Sequence, residues 1–201
     1  MKKGAMANKN HPKKGSRITV QAIRKIKDIE SIKRLLSSNT RDLLLFTMGI
    51  NNGLRCGDLL RMKVGDVKDL KPGETITVRE QKTGKSNVLM INKTTYKILK
   101  QFLDETKPDS HEYLFKSRKG SGHLTVGSVN AMVKDWCRSI NLKGNYGTHT
   151  LRKTFGYIQR TEYGVGWELL CKRFNHSSPS VTMRYLGIED KEINGILMNE
   201  I

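Results

Sequence analysis

No run of apolar residues in this 201-residue chain approaches the ~20 needed to span a bilayer; the densest stretch, "RDLLLFTMGI", is half that length. The N-terminus, "MKKGAMANKNHPKKGSR", has no apolar h-region, so it does not read as a signal peptide. Cysteine is scarce. Cys56, Cys137 and Cys171 are odd in number, widely spaced and without a C-x-x-C pair, which supports neither a disulfide framework nor a zinc site and points to a reducing cytoplasm. Acidic residues are thin and scattered, Asp58, Asp66 and Asp69 being the densest group. Two-metal nuclease chemistry needs clustered carboxylates and is disfavoured. No phosphate-cradling Gly-x-x-x-x-Gly-Lys occurs, so no nucleotide cofactor is implied.

What is present in excess is positive charge. Lys and Arg number 37 against 19 Asp and Glu, a net charge of +18. Each phosphate that such a surface neutralises releases condensed counterions, so the balance points to a nucleic-acid partner. Residues 1–17 carry six basic residues and no acid and read as a disordered basic arm. With 36% apolar residues the remainder can build a core.

The expected fold is mainly α (α+β), with one small antiparallel sheet. Asp28 is placed to cap a helix whose apolar face is Ile29, Ile32, Leu35 and Leu36. Thr40 starts a second helix through "RDLLLFTMGI", ended by "NNG", and "LRCGDLLRMKVGDV" reads as a short third. "ETITVRE" and "SNVLMIN" are β-rich runs joined by "QKTGK", a hairpin. "KTTYKILKQFLDET" returns to helical period with Tyr96, Leu99, Phe102 and Leu103 on one side. "EYLF" is a short buried element, and Thr125 or Gly127 opens the next helix. Thr148 is expected to cap "THTLRKTFGYIQRT", and "WELLCKRF" and "PSVTMRYLG" complete the series, with Val181 and Leu186 facing the body.

Four places carry chemistry-bearing residues: Arg55 in "NGLRCGDLL", Lys82 in "QKTGK", His149 and Arg152 in "HTLR", and His176 with Tyr185 in "NHSSPSVTMRYLG". Singly each has an ordinary reading as a cap, a solvated charge or a half-buried ring. In this order and spacing, with Asp58 three residues after Arg55, they resemble the tyrosine recombinase, or phage integrase, family from about Thr40 to Gly187.

The resemblance implies that Arg55, Lys82, His149, Arg152 and His176 form an active site around the nucleophile Tyr185. The chemistry of the side chains agrees. A phenol can attack phosphorus and give a phosphotyrosine that a DNA hydroxyl later displaces. Two guanidinium forks suit the non-bridging oxygens. Lys82 suits proton delivery to the leaving 5′-oxygen, with Lys85 as the alternative. His149 accepts the tyrosine proton or holds the phosphate, and His176 donates to a non-bridging oxygen.

The implied activity is site-specific recombination of double-stranded DNA at inverted-repeat sites by a homo-oligomer, dimer or tetramer, through a 3′-phosphotyrosyl link, without metal or cofactor and away from membranes. A type IB-like topoisomerase and a catalytically silent DNA-binding regulator are the alternatives. The catalytic domain is assigned to residues 18–187. Only 40 residues precede Arg41, too few for the family's N-terminal core-binding domain, so the chain reads as a stand-alone catalytic domain or an excised fragment. Phe174-Asn175 replaces the Leu-Gly often found before the His-Ser-Ser histidine, and asparagine is expected to keep the left-handed turn. In the tail, 188–201, Ile193, Ile196, Leu197 and Ile201 recur at helical spacing. This helix either folds on its own domain or docks on a neighbouring protomer.

Overall fold

The computed structural model of the chain describes residues 19–188, 194–195 and 197–200. The basic arm, and Ile193, Ile196 and Ile201 of the tail stripe, lie outside the described residues. In chain order the elements are α1 (Ile26–Leu35), α2 (Thr40–Asn52), α3 (Cys56–Leu60), α4 (Val64–Val67), β1 (Thr75–Arg79), β2 (Ser86–Met90), α5 (Lys93–Thr106), α6 (Val126–Ser139), α7 (Thr148–Thr161), α8 (Trp167–Phe174) and α9 (Pro179–Leu186). No helix among the described residues is long and apolar enough to cross a membrane.

Helix α2 is the axis of the molecule. Asn39 caps it by accepting the Asp42 N–H at 3.3 Å, and Gly53 closes it in the left-handed region at φ 58°. Leu44, Leu45, Phe46 and Met48 are fully buried, each contributing roughly 1.5–3 kcal/mol by leaving water. They belong to a large core shared with α1, α3, α4, α5 and α6, and Leu151 brings α7 into it. A second, smaller cluster of Ala22, Tyr157, Leu170, Phe174, Leu186 and Ile188 holds α8 and α9 against α7.

The sheet is a single hairpin, Thr75 opposite Met90 through Arg79 opposite Ser86. Alternation along β2 buries Asn87 and Leu89 and exposes Ser86, Val88 and Met90, as a half-buried strand requires. Between the strands the chain turns at Gly84, whose N–H donates to the Glu80 carbonyl at 2.8 Å.

Several local expectations are corrected. Helix α1 begins before Asp28, because the extended Lys25 offers its carbonyl to the Asp28 and Ile29 N–H groups. Asp28 therefore sits in the first turn, where its charge suits the helix dipole. Leu35 is 43% exposed, off the Ile29–Ile32–Leu36 face. The expected third helix is two, α3 and α4, separated at Arg61–Lys63. Thr148 is the first helical residue of α7 rather than its cap. Asn130 of α6 accepts the Thr148 N–H at 3.2 Å, and Thr150 accepts the Gly147 N–H at 3.0 Å. On α9 the buried pair is Thr182 and Leu186, while Val181 is 37% exposed.

Candidate active site

Arg55 precedes α3 directly after the Gly53 turn, and that turn admits no side chain. Gly53 has φ 58°, and a Cβ there would lie 2.4 Å from the Phe155 ring. The Gly53 carbonyl accepts from Arg152 at 2.7 Å, and a second Arg152 nitrogen donates to the Phe174 carbonyl at 2.7 Å. Arg152 is 3% exposed and its guanidinium lies 4.7 Å from the Phe174 ring centroid. Burial, together with Arg55 and Arg173 nearby, lowers its pKa to about 10, so it stays charged at neutral pH. Two of its five N–H donors are committed to those carbonyls, leaving three for other acceptors.

Arg55, Lys82, His149 and Arg152 converge on one cleft of ≈ 210 Å³, which Asp58, Gln81 and Thr148 also line. Lys85 is not among the lining residues. Asp58 reaches the hairpin rather than Arg55: its Oδ1 accepts the Gln81 N–H at 3.1 Å, tying the residue before Lys82 to α3.

Tyr185 joins this group through His149, whose Nδ1 lies 3.4 Å from the phenol oxygen. Burial raises the phenol pKa to about 12, although Arg152 and Arg55 pull it down, so at neutral pH the hydroxyl keeps its proton. His149 is pushed below the usual imidazole range by burial and by Arg152, Lys153, Lys82 and Arg55. His176 is lowered to about 4 by burial, then by Arg152 and Arg55. Both imidazoles are therefore neutral at pH 7. His176 Nδ1 sits 2.9 Å from the Thr182 hydroxyl. With that hydroxyl donating, the ring proton is on Nε2. The His176 and Tyr185 rings meet edge to face at 5.2 Å. Asn175 holds the turn before His176 in the left-handed conformation, φ 54°, as expected for asparagine in place of glycine.

The phage integrase family model matches residues 16–192. The chain belongs to the phage integrase family. It is 36% identical over 174 residues to the probable integrase/recombinase YoeC of Bacillus subtilis (strain 168), covering 85% of this chain and 91% of that protein. It is 29% identical over 168 residues to the tyrosine recombinase XerA of Pyrococcus horikoshii, covering 82% of this chain but only 57% of the relative. Among solved structures, the XerA recombinase superposes with a TM-score of 0.73 at 20% identity over 92% of this chain and 68% of that one. The XerH recombinase bound to palindromic difH substrate, a post-cleavage complex, superposes with a TM-score of 0.67 at 22% identity, over 85% and 50%. These likenesses establish the fold as that of the integrase-family catalytic domain.

Three integrase-site residues escaped the sequence reading. Glu80, 1% exposed, forms an ion pair with Arg55 and accepts from the Thr83 hydroxyl at 2.6 Å and Asn87 at 3.0 Å. Burial alone would raise its pKa, but these three donors outweigh it and hold the carboxyl at about 2. Arg173 donates to the Asn52 carbonyl, to Asn87 Oδ1 at 2.7 Å and to the Val88 carbonyl at 2.8 Å. Together Asn52, Arg173, Asn87 and Glu80 lash the Lys82 hairpin to the ends of α2 and α8 and to Arg55. The third, Lys153, is 6% exposed, with Nζ 4.9 Å from the Tyr185 ring centroid. None of the three had a local signature, since their partners lie 25 to 121 residues away. Among the described residues, no three His, Cys, Asp or Glu side chains gather to hold a metal ion.

Proposed function

We propose that the chain is a site-specific DNA recombinase that cleaves and rejoins duplex DNA through a 3′-phosphotyrosyl intermediate. The observation that carries this reading is the convergence of Arg55, Lys82, His149 and Arg152 on one cleft, with the Tyr185 hydroxyl against His149. The family relationship supplies the substrate class: the named relatives are recombinases, and solved relatives are bound to DNA. The net charge of +18 agrees with a polyanionic partner.

In the proposed reaction the Tyr185 oxygen attacks phosphorus, the bond from phosphorus to the 5′-oxygen breaks, and the 3′-phosphate ends on tyrosine. The phenol proton passes to neutral His149. Lys82 gives a proton to the departing 5′-oxygen. The free donors of Arg55 and Arg152 meet the two non-bridging oxygens, and His176 Nε2–H adds a third donor. The energy of the broken bond is retained in the phosphotyrosine, so a second DNA hydroxyl can reverse the step and join a new strand. In this reading the site is an inverted repeat bound by a pair of protomers, and the setting is the cytoplasm.

Covalent capture tests the proposal. Wild type and Tyr185→Phe are incubated with a pool of nicked duplexes in EDTA, denatured, and assayed for DNA attached to protein. The expected result is an adduct with wild type and none with Tyr185→Phe, whose DNA binding stays within about twofold because one hydroxyl contributes little to a phosphate-dominated interface. An adduct with Tyr185→Phe would remove Tyr185 as nucleophile. Binding without any adduct would favour a silent regulator. Relaxed supercoils without exchanged partners would favour a topoisomerase.

A further inference from the structure

Helix α7 presents two side chains to Tyr185, one turn apart. His149 meets the hydroxyl at 3.4 Å. Four residues on, on the same face, Lys153 places its ammonium 4.9 Å from the ring centroid. Lys153 is 6% exposed, and among the described residues no carboxylate lies within ion-pair distance of it. Its charged neighbour is Arg24, another cation, and burial with Arg24 lowers its pKa. A buried ammonium beside a like charge is costly to the fold, so its retention is not explained as a stabilising ion pair. What it does face is a ring that α9 anchors weakly: only Thr182 and Leu186 of that helix are buried. The ring's remaining contacts are edge-to-face with Phe174 at 5.7 Å and His176 at 5.2 Å.

We propose that Lys153 is a positioning residue for Tyr185, its ammonium holding the ring by a cation–π contact so that the hydroxyl stays aimed at His149 and the cleft. The inference rests on the reading of Tyr185 as nucleophile. A desolvated cation over a phenol face is among the stronger contacts of its kind. Its attraction grows as the phenol sheds its proton to His149, so it favours the transition state over the resting ring.

The test uses the full chain and one nicked duplex recovered from the wild-type adduct. Single-turnover adduct rates at saturating duplex, duplex Kd and thermal midpoints are compared for wild type, Tyr185→Phe, Lys153→Met and Lys153→Arg. Lys153→Met is expected to form adduct about tenfold more slowly, with Kd unchanged and a thermal midpoint no lower than wild type. Lys153→Arg, which keeps a cation able to stack on the ring, is expected to recover to within about threefold. Should Lys153→Met not fold, Lys153→Gln takes its place with the same readouts.

A wild-type rate in the uncharged variant overturns the inference. So does a deficit that appears in Kd and vanishes at saturation, which would make Lys153 a phosphate contact. So does an Arg variant as slow as Met. Failure of the underlying reading looks different: no adduct from wild type, or an adduct from Tyr185→Phe, removes the nucleophile itself and the inference with it.

Discussion

Arg152 and Tyr185 are neighbours held by different means. Arg152 comes from a helix packed on the main core and is bonded to two backbone carbonyls, one at each flank of the site. Arg55 beside it is paired with a carboxylate that has three donors of its own. Tyr185 hangs on an eight-residue helix with two buried side chains, resting on a satellite cluster, and its polar partner is His149 at 3.4 Å. The phosphate-facing half is thus preorganised, which is what electrostatic stabilisation of a transition state requires. The nucleophile's half has few contacts to lose, as expected of a segment that must approach and leave phosphorus.

The sharpest way to break this contrast is Arg152→Ala. It removes the donors facing the cleft and orphans the Gly53 and Phe174 carbonyls at once. Single-turnover adduct formation should fall by roughly 10²–10³, and the thermal midpoint should drop with it. Arg152→Lys should recover little, because an ammonium cannot bridge both carbonyls while presenting a fork to phosphate. A loss below tenfold in Arg152→Ala would mean that the rigid half is not where the barrier is lowered.

Glu80→Gln probes the same half more gently. It leaves Arg55 partly buried without its counter-charge, a change that costs about 3–5 kcal/mol when such a pair is fully buried. Adduct formation should slow by about tenfold as Arg55 loses its fixed pose. The pH dependence gives a second readout. The Glu80 carboxyl is held at about 2 against an ordinary 4.5, so its contribution to stability is fully present above pH 4.5 and is lost as pH falls through about 2. His176, lowered to about 4 from 6.5, has the same sign in a separate window, contributing above 6.5 and failing as pH falls through about 4. Denaturation at a series of pH values should show Glu80→Gln less stable at pH 7 and flatter than wild type below 4.5. An unchanged slope there would mean the carboxyl is not what the acid limb reports.

How far the sequence foretold this site depends on the kind of contact. Arg55, Lys82, His149 and Arg152 were visible because order and spacing matched a family pattern, and the fold then brought all four to one cleft. The hairpin and the helix starting at Thr40 were visible because alternation, period and caps are local. Glu80 was not. In "VREQKTGK" a carboxylate at a strand end reads as solvated, and only the fold shows it beneath Arg55, 25 residues earlier. Lys153 looked like one more charge in a basic chain until its ammonium was seen over a ring 32 residues away. On α9 the period was right and the phase was one residue off: Thr182, drawn inward by His176, takes the place expected of Val181. A hydroxyl that satisfies an imidazole can be buried where hydropathy alone would favour valine.

The smallest expected effect falls on the lightly held half. Gly156 of α7 lies where α8 and α9 close on that helix: a Cβ there would stand 2.6 Å from the Phe174 ring and 2.9 Å from Leu186. Gly156→Ala raises helix propensity by about 1 kcal/mol, but the clash with two fully packed side chains costs roughly 1–3 kcal/mol. The helix gain and the overpacking therefore oppose each other, and the net destabilisation is about 1 kcal/mol or less at most measured temperatures. The strain, however, is local. Phe174 and Leu186 are the residues that seat Tyr185, so α9 should be displaced while α2 is untouched. Amide hydrogen exchange should accelerate in α8 and α9 and stay at wild-type rates in α2, with adduct formation slowed a few-fold. Equal acceleration in both regions would show that the satellite cluster and the main core open together, and the contrast between the two halves of the site would not hold.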